Sequence, residues 1–248
     1  MADLESIYYP ERKAGGFTRH CGTTQFFQRV QALLRPGDKV LDFGAGRGVG
    51  HIEEGADYPK KLRNLRGENR HVTGVDVDPI VKTNPGLDEA IVLDHDGPLP
   101  FADATFDVIV SDFAFEHIDE PVRVARELDR VLKPGGWLCV RATNRNGYVA
   151  VANRVIPKRY RKRLASTANP GHEEEDVFVA HYAMNTFRAL KKLFPADRYD
   201  HASFAFDSEP QYHFGRRFLF VLLMAVHHFT PRNFRNTLMC FLHKRAGR

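Results

Sequence analysis

Residues 40–48, Val-Leu-Asp-Phe-Gly-Ala-Gly-Arg-Gly, carry the strongest fold signal in this chain of 248 residues. The run begins with the apolar character of a buried strand and continues directly into alternating glycines. Because glycine has no Cβ, such a run lets a strand turn sharply into a helix while the backbone comes close to a ligand. It therefore predicts a pocket of the nucleotide-binding kind at the end of a buried strand.

The spacing of these glycines departs from the usual dinucleotide fingerprint. That fingerprint, G-x-G-x-x-G/A, uses its third glycine to pack a helix closely against a strand over a pyrophosphate. Counted from Gly44, Gly46 or Gly48, the sixth position holds Val49, His51 or Glu53. An oxidoreductase that uses a nicotinamide dinucleotide is therefore disfavoured.

Strand-like and helix-like segments alternate along the chain. Glu120 to Leu132 has apolar residues at helical spacing, and Thr186 can cap a helix that runs through Leu193. Such alternation predicts an α/β fold in which helices cover both faces of a parallel sheet and ligands bind at the C-terminal tips of the strands. The candidate strands are 38–42, 72–76, 90–94, 107–111 and 137–142, followed by Tyr199 to Phe206 and Thr237 to His243.

The second candidate strand ends in an acid, Asp76, and Pro79 opens the helix that follows. A carboxylate at the tip of a strand can accept hydrogen bonds from two adjacent ribose hydroxyls. The alternative is that Asp76 caps the helix beginning near Pro79, since acids are favoured at helix N-termini. We predict the ribose role.

Several signals appear in the order found in one protein family. The motif Asp42-x-Gly44-x-Gly46-x-Gly48 resembles the first motif of the class I S-adenosylmethionine-dependent methyltransferases, of the small-molecule type. The resemblance extends over roughly residues 37–144. Its other parts are Leu99-Pro100-Phe101, Phe106-Asp107, Glu116-His117, and Arg130 to Trp137, in which Pro134-Gly135-Gly136 predicts a turn before the fifth strand.

The resemblance implies a Rossmann-like, seven-stranded mixed sheet, mostly parallel, whose last strand inserts antiparallel beside the fifth. It also implies a single domain in three parts. Residues 1–36 are expected to form an N-terminal lid or helix, residues 37–144 the S-adenosylmethionine-binding core, and residues 145–248 a substrate-covering insertion that also completes the sheet.

By the same resemblance, the cofactor is S-adenosylmethionine and the product S-adenosylhomocysteine. Asp94, with His95 beside it, is expected at the adenine, although Asp96 competes for this role because the loop can align in either register. Arg19 could pair with the methionine carboxylate, or it is simply a surface arginine. The expected cofactor-binding residues are Asp42, Phe43, Gly44, Ala45, Gly46, Asp76, Val77, Asp94, His95, Asp112 and Arg19.

Methyl transfer requires alignment of the acceptor, the methyl group and the sulfur, and no metal is demanded. A hydroxyl or ammonium acceptor must also lose a proton to a histidine or carboxylate. His117 and Asp112 are the candidate catalytic residues, although the Glu116-His117 pair could instead fix the following loop. His181 and Tyr182 are expected to form walls of the acceptor pocket.

The sequence thus predicts an enzyme that transfers a methyl group to a small-molecule acceptor by in-line displacement. One alternative is a catalytically silent protein that binds S-adenosylmethionine and serves as a scaffold or partner. A nucleic-acid methyltransferase is the second alternative. It is disfavoured because Ser111-Asp112-Phe113-Ala114 stands where a base-amine methylase has Asn/Asp-Pro-Pro-Tyr/Phe.

A basic stretch, residues 141–165, contains no acid, and the chain has a net charge of +5. The stretch could steer an anionic substrate, a nucleic acid or a phosphorylated lipid towards the site. Alternatively, it is a solvated helix whose basic face meets the acidic run 173–176. We favour the second interpretation.

Three widely separated cysteines and a polar, acidic N-terminus predict a reducing compartment, the cytoplasm, without a secretory signal or anchor. The longest apolar run, residues 218–226, is about half of the ~20 residues that a membrane span requires. We expect a buried core helix there. Its flanks, Arg216-Arg217 and His227-His228, also permit a helix lying on a lipid surface.

Overall fold

The computed structural model describes residues 4–48, 56–67, 69–155 and 180–247. A central sheet of eight strands has the spatial order β3-β2-β1-β4-β5-β8-β6, and β7 also pairs with β8. The strands are β1 (Lys39–Phe43), β2 (His71–Asp76), β3 (Glu89–Val92), β4 (Phe106–Asp112), β5 (Leu132–Thr143), β6 (Tyr199–His201), β7 (Phe204–Phe206) and β8 (Thr237–Lys244).

The first five strands are parallel. Val40 of β1 lies between Val72 of β2 and Val108 of β4, so β1 is enclosed on both edges. β8 runs antiparallel to β5, with Val140 opposite Cys240, and β6 and β7 run antiparallel to β8. The predicted α/β class, with a mostly parallel sheet and an antiparallel last strand beside the fifth, is confirmed.

The strand count differs from the prediction because the sixth strand is interrupted. β6 pairs with the end of β8 at Lys244, and β7 pairs with its beginning at Thr237. Between them, Ala202 donates its backbone N–H to the Phe241 carbonyl, with N and O 2.9 Å apart. The expected single strand from Tyr199 to Phe206 is therefore two short strands along one edge of β8.

The predicted turn at Pro134-Gly135-Gly136 lies inside β5 as a bulge. Leu132 pairs with Phe106, but the next pairing joins Trp137 to Val108, so four residues of β5 stand opposite one residue of β4. Gly135 has a φ of +81°, which favours glycine over residues with a Cβ. The proline and glycines thus bend a continuous strand instead of starting it.

Seven α-helices lie in the described residues. In α4, Pro121 occupies the first turn, where its missing N–H costs nothing, and Ala125, Leu128 and Val131 recur on the buried face. Thr186 accepts the backbone N–H of Ala189 and caps α6, as predicted. The helices are α1 (Leu4–Tyr8), α2 (Gly22–Leu33), α3 (Asp57–Arg63), α4 (Pro121–Val131), α5 (Tyr148–Val155), α6 (Phe187–Leu193) and α7 (Arg217–Phe229).

The sheet separates two hydrophobic layers. On one side, Leu128 of α4 packs with Leu41 and Ile109 of the sheet. On the other side, Phe26 and Val30 of α2 belong to a cluster with the alternate residues of the strands. Each fully buried side chain of this size contributes about 1.5–3 kcal/mol relative to an exposed one, so the two layers hold the strand tips in fixed positions.

The expectation that residues 218–226 form a buried core helix is wrong. They lie in α7, whose single buried residue is Phe220. The Phe220 ring stacks on Tyr8 with centroids 5.3 Å apart and also contacts Tyr9, so α7 packs against the N-terminal segment and not inside the core. Within the described part of the chain, no helix combines the length and apolarity needed to cross a membrane.

Candidate functional site

The glycine loop follows β1 at the centre of the sheet. The backbone N–H groups of Gly44 and Ala45 both donate to the Val75 carbonyl of β2, at 2.9 and 3.1 Å. Gly44 has a φ of +75°, and a Cβ at this position would clash with the Cβ of Ala114, which follows β4. The loop therefore closes tightly over the tips of two strands only because residue 44 is a glycine.

The Asp76 carboxylate at the tip of β2 faces this loop. Its Oδ2 accepts the Gly46 N–H at 2.9 Å, and its Oδ1 accepts the Asp78 N–H at 3.0 Å. The cap of the short 3₁₀ helix Pro79–Thr83 is Asp78, whose side chain accepts the Ile80 N–H. The alternative role for Asp76, as a helix cap, is thus taken by Asp78.

The side-chain amide of Asn84 stabilises the same loop. This role of Asn84 was not predicted from the sequence. Its Nδ2 donates to the carbonyls of Ala45 at 3.0 Å and Gly46 at 3.3 Å. A Cβ on Gly48, whose φ is +73°, would clash with this amide. Asn84 lies far from the glycine motif along the chain, beyond β2, so no local sequence pattern points to this contact.

A cavity of about 300 Å³ extends along the tips of β1 to β4. This volume is at the lower end of the range for small-molecule sites. Eight of the predicted site residues line it: Phe43, Gly44, Gly46, Asp76, Val77, Asp94, His95 and His117. Lining residues that the sequence analysis did not name include Leu93, Gly97, Phe113, Ile118, Asp119 and Arg123.

One end of the cavity is formed by the loop after β3, which α4 holds in place. Arg123 of α4 donates to the carbonyls of His95 at 2.6 Å and Gly97 at 2.9 Å. Glu127, one helical turn later, accepts the Leu99 N–H at 2.8 Å. Two charged side chains of a neighbouring helix thus fix the backbone at this end.

The geometry favours Asp94 over Asp96 for contact with a ligand. Asp94 lines the cavity. Asp96 instead accepts from His95 Nδ1 at 2.9 Å, and this hydrogen bond lowers the pKa of Asp96 and raises that of His95. A second carboxylate, Asp119, also raises the pKa of His95.

Asp112 at the tip of β4 does not line the cavity and forms an ion pair with two arginines. Arg141, directly opposite in the β4–β5 register and only 4% exposed, donates to both carboxylate oxygens at 2.6 Å. Arg63 of α3 donates to Oδ2 at 3.1 Å. Burial acts to raise the pKa of Asp112, but the arginines outweigh it and the pKa is lowered. An ionised, doubly paired carboxylate is unsuited to accept a proton.

Asp42 at the end of β1 lies close to this ion pair. Burial raises the pKa of Asp42 to about 7, and the carboxylates of Asp112 and Asp76 add to the effect, while Arg63 opposes it. Three carboxylates thus surround the start of the glycine loop. Arg63 and Arg141 offset the charge of Asp112, so the negative charge left to attract a cation near the loop comes from Asp76 and the ionised form of Asp42.

Four predicted binding residues lie off the cavity lining: Asp42 and Asp112, described above, and Ala45 and Arg19. Arg19 is mostly exposed and pairs with Glu11 at 3.2 Å. Ala45 contributes its backbone to the loop, as described above, but does not line the cavity. The arginine that pairs with Asp112 from α3 is Arg63. It was not predicted from the sequence because residues 57–63 match no motif.

Two roles were predicted for the Glu116-His117 pair, a catalytic one and fixing of the following loop. The structure separates the two residues by position. His117 lines the cavity. Glu116 is buried, its side chain accepts from Thr143 Oγ1 at 2.9 Å, and its carbonyl accepts the N–H groups of His181 and Tyr182. Burial raises the pKa of Glu116 to about 7. Glu116 therefore anchors the segment at 181–182, neither residue of which lines the cavity.

The basic stretch is only partly within the described residues. Arg141 faces Asp112 inside the protein and is not available to steer an acceptor. Arg154 donates to the carbonyl of Arg145 at 2.8 Å. Residues 156–165 and the acidic run 173–176 lie outside the described residues.

The part of the chain that carries the sequence motifs is similar to known proteins. Residues 41–140 match the model of a methyltransferase domain. A ubiquinone/menaquinone biosynthesis C-methyltransferase (UbiE) of Vibrio vulnificus strain YJ016 is 33% identical over 116 residues, which cover 43% of this chain and 41% of the relative. A demethylmenaquinone methyltransferase of Lysinibacillus sphaericus is 27% identical over 136 residues, covering 52% of this chain and 54% of the relative. The chain thus spans about half the length of these curated relatives, or less.

Solved structures share the fold. An S-adenosylmethionine-dependent methyltransferase of Methanosarcina mazei has a TM-score of 0.54 at 20% identity, covering 88% of this chain and 98% of that one. The plantazolicin methyltransferase BpumL, solved with a triazolic desmethylplantazolicin analogue and S-adenosylhomocysteine, has a TM-score of 0.53 at 18% identity, covering 98% of this chain and 90% of that one. The chain thus contains a methyltransferase domain match at residues 41–140, set in this sheet, which supports the predicted resemblance to the class I S-adenosylmethionine-dependent methyltransferases.

Proposed function

We propose that the chain binds S-adenosylmethionine in the cavity at the tips of β1 to β4 and transfers its methyl group to a small-molecule acceptor. The observation that carries this proposal is the Asp76 carboxylate, which lines the cavity beside the backbone of Gly46. A carboxylate at this position can take up paired ribose hydroxyls while the loop next to it approaches closely.

The residues present fit the nucleoside part of the cofactor. Each oxygen of Asp76 already accepts one backbone N–H and retains capacity for one more donor. A Cβ on Gly46 would meet no atom within 4 Å, so the space beside this backbone is open. Leu93 and Ile118 offer apolar surface for a purine ring, and Asp94 offers an acceptor for its exocyclic amine.

Charged side chains that lie outside the cavity lining, near the start of the glycine loop, would face the amino-acid part. The ionised carboxylate of Asp42 complements an ammonium or a sulfonium, since both are cations. In this proposal Arg63, rather than Arg19, faces the carboxylate of the methionine group. Arg63 lies beside Asp112, whereas Arg19 pairs with Glu11.

The sulfonium supplies an electrophilic methyl carbon, so the protein must mainly orient the acceptor and exclude water. We assign His117 as the residue that takes a proton from a hydroxyl or ammonium acceptor, because it lines the cavity. Asp112 stays ionised beside the arginines and holds Arg63 and Arg141 in position. Glu116 positions the segment at 181–182 over this end of the sheet.

The proposed acceptor class is a small aromatic molecule of the quinone or hydroquinone type. The names of the curated relatives, which concern ubiquinone and menaquinone, support it. A nucleic acid is less well supported as the acceptor. The names of the relatives do not mention one, and the residues after β4 lack the motif of a base-amine methylase.

Two measurements test the proposal. Titration calorimetry with S-adenosylmethionine and S-adenosylhomocysteine should show binding of both. Release of S-adenosylhomocysteine should then appear with members of a panel of hydroquinones and phenols, and His117→Ala should lower turnover without lowering cofactor affinity. Binding without turnover across the panel would favour the silent scaffold, and absence of cofactor binding would refute the proposal altogether.

A further inference from the structure

The outward side of α7 is apolar from end to end. Its exposed positions recur at helical spacing, so they lie on one side of the helix. Phe218 is 74% exposed and Phe229, three turns later, is 80% exposed. We define the α7 surface as Phe218, Val221, Leu222, Ala225 and Phe229, together with the flanking Arg216 and Arg232.

The opposite side of α7 is attached to the protein. Phe220 packs on Tyr8, and Arg217 Nε donates to the Tyr8 hydroxyl at 2.8 Å. Near the other end, His227 Nε2 lies 3.0 Å from the Tyr148 hydroxyl in a hydrogen bond. These contacts fix the orientation of the helix. The apolar side therefore points outward because the opposite side is held by specific packing and hydrogen bonds.

A helix on the surface of a soluble protein normally carries polar residues on its outward side. α7 has none there between Phe218 and Phe229 apart from His228. A contiguous exposed apolar patch with polar residues around it marks a site of interaction with another molecule or with a membrane. The α7 surface therefore requires a partner that accepts apolar side chains.

The charges around α7 identify the chemistry of that partner. The segment 210–235, which contains α7, has no Asp or Glu, whereas it has four arginines: Arg216, Arg217, Arg232 and Arg235. Arg216 precedes the helix and Arg232 follows it, and both are exposed. Phenylalanines between arginines are the pattern of a helix that inserts among acyl chains while its cations contact anionic headgroups.

We propose that the α7 surface docks the protein on an anionic lipid bilayer, with the helix lying in the plane of the interface. The helix has 13 residues, about 20 Å at 1.5 Å per residue, against about 30 Å for the hydrocarbon core, so it lies on the membrane and does not cross it. This proposal rests on α7 alone and holds whether or not the proposed function is correct.

A second copy of the chain is a poorer partner for this surface. A two-fold interface brings the same patch of both copies together. Arg216 and Arg232 of the two copies would then approach one another, and the segment 210–235 provides no acid to separate them. Like charges placed together in an interface oppose association, whereas a bilayer with acidic headgroups satisfies them.

The test is flotation of the full chain with vesicles of phosphatidylcholine alone and of phosphatidylcholine mixed with phosphatidylglycerol. Three variants are compared with the wild type: Phe218→Ser/Phe229→Ser, Arg216→Gln/Arg232→Gln, and the control Val122→Ser. Val122 is 62% exposed on α4, which is a different helix. Circular dichroism and Tm verify that each variant is folded, since the altered side chains are exposed.

We expect the wild type and Val122→Ser to float with the mixed vesicles and to dissociate as salt is raised. The double phenylalanine variant should partition at least about tenfold more weakly. Neutralising the arginines should weaken partitioning about fivefold for each one. Flotation of the phenylalanine variant at the wild-type level would overturn the proposal, and so would a wild type that binds no vesicle. Light scattering that shows a dimer lost in the phenylalanine variant, without flotation of the wild type, would assign the surface to a second copy instead.

Discussion

Replacing Asp76 by alanine is the most direct perturbation of the cofactor site. In the protein, the carboxylate accepts the N–H groups of Gly46 and Asp78 at 2.9 and 3.0 Å. In the proposed complex it also accepts two ribose hydroxyls. Alanine removes both sets of hydrogen bonds, so the substitution acts on the shape of the loop as well as on the ligand.

The expected loss of affinity follows from the number of hydrogen bonds. A hydrogen bond to a charged group contributes about 1.5–3 kcal/mol, so two ribose contacts amount to about 3–6 kcal/mol. Because 1.36 kcal/mol corresponds to a factor of ten, Asp76→Ala should weaken binding of S-adenosylmethionine by at least about a hundredfold. Asp76→Asn keeps one acceptor oxygen but opposes its amide to a backbone N–H, so its effect should be intermediate.

Titration calorimetry with S-adenosylmethionine and S-adenosylhomocysteine measures this loss, and Asp78→Ala is the matched control. The Asp78 side chain accepts the Ile80 N–H at 2.9 Å and caps a 3₁₀ helix beyond the loop. Its removal should cost about 1 kcal/mol of folding free energy and leave cofactor affinity unchanged. Wild-type affinity in Asp76→Ala, or an equal loss in both variants, would refute the ribose role of Asp76.

Three further predictions concern the glycine loop and the charged side chains near its start. Asp112→Asn leaves the buried Arg141 without its main counter-charge, so the free energy of unfolding should fall by about 3–5 kcal/mol in denaturant titrations. Gly44→Ala places a Cβ against Ala114 at a positive φ, so cofactor affinity should be lost in calorimetry. The pKa of Asp42 is raised to about 7. A bound cation favours the ionised carboxylate, so affinity should rise as the pH increases towards about 7 and level off above it, with proton release on binding below that pH.

Each of these predictions has a control and an outcome that contradicts it. Arg63→Gln removes the more exposed partner of Asp112 and should cost less stability than Asp112→Asn does. Gly37→Ala has a similar positive φ of +83° but open space around it, so affinity should survive. Asp42→Asn should abolish the pH dependence. Equal stability losses at 63 and 112, loss of affinity in Gly37→Ala, or a pH profile unchanged by Asp42→Asn would contradict the reasoning.

The sequence predicts the parallel half of the sheet well because each of its strands is a short apolar run that ends in a turn or an acid. The same information locates Gly44, Gly46 and Asp76, since the tips of neighbouring parallel strands meet at one edge. Breaks within strands are harder to predict. The bulge in β5 and the division between β6 and β7 depend on register against β4 and β8, which no local pattern encodes.

The burial of Arg141 and the exposure of α7 are equally hard to predict from the sequence. Arg141 belongs to a basic stretch in the sequence, but the register of β4 and β5 places it opposite Asp112, where it is buried. The run at 218–226 is apolar enough for a core, and its exposure depends on which elements pack against it. Both outcomes are set by contacts between residues far apart in the chain, which single-sequence patterns do not report.

The position of β8 has a consequence for biosynthesis. β8 lies between β5 and the pair β6 and β7, yet it follows all of them along the chain. While a ribosome is still adding residues 237–244, β5 presents an uncovered row of peptide groups on an apolar strand, a template for intermolecular pairing. A nascent or proteolysed chain that lacks these residues should aggregate. In the complete chain β5 is covered, whereas the truncated chain should be a substrate for chaperones.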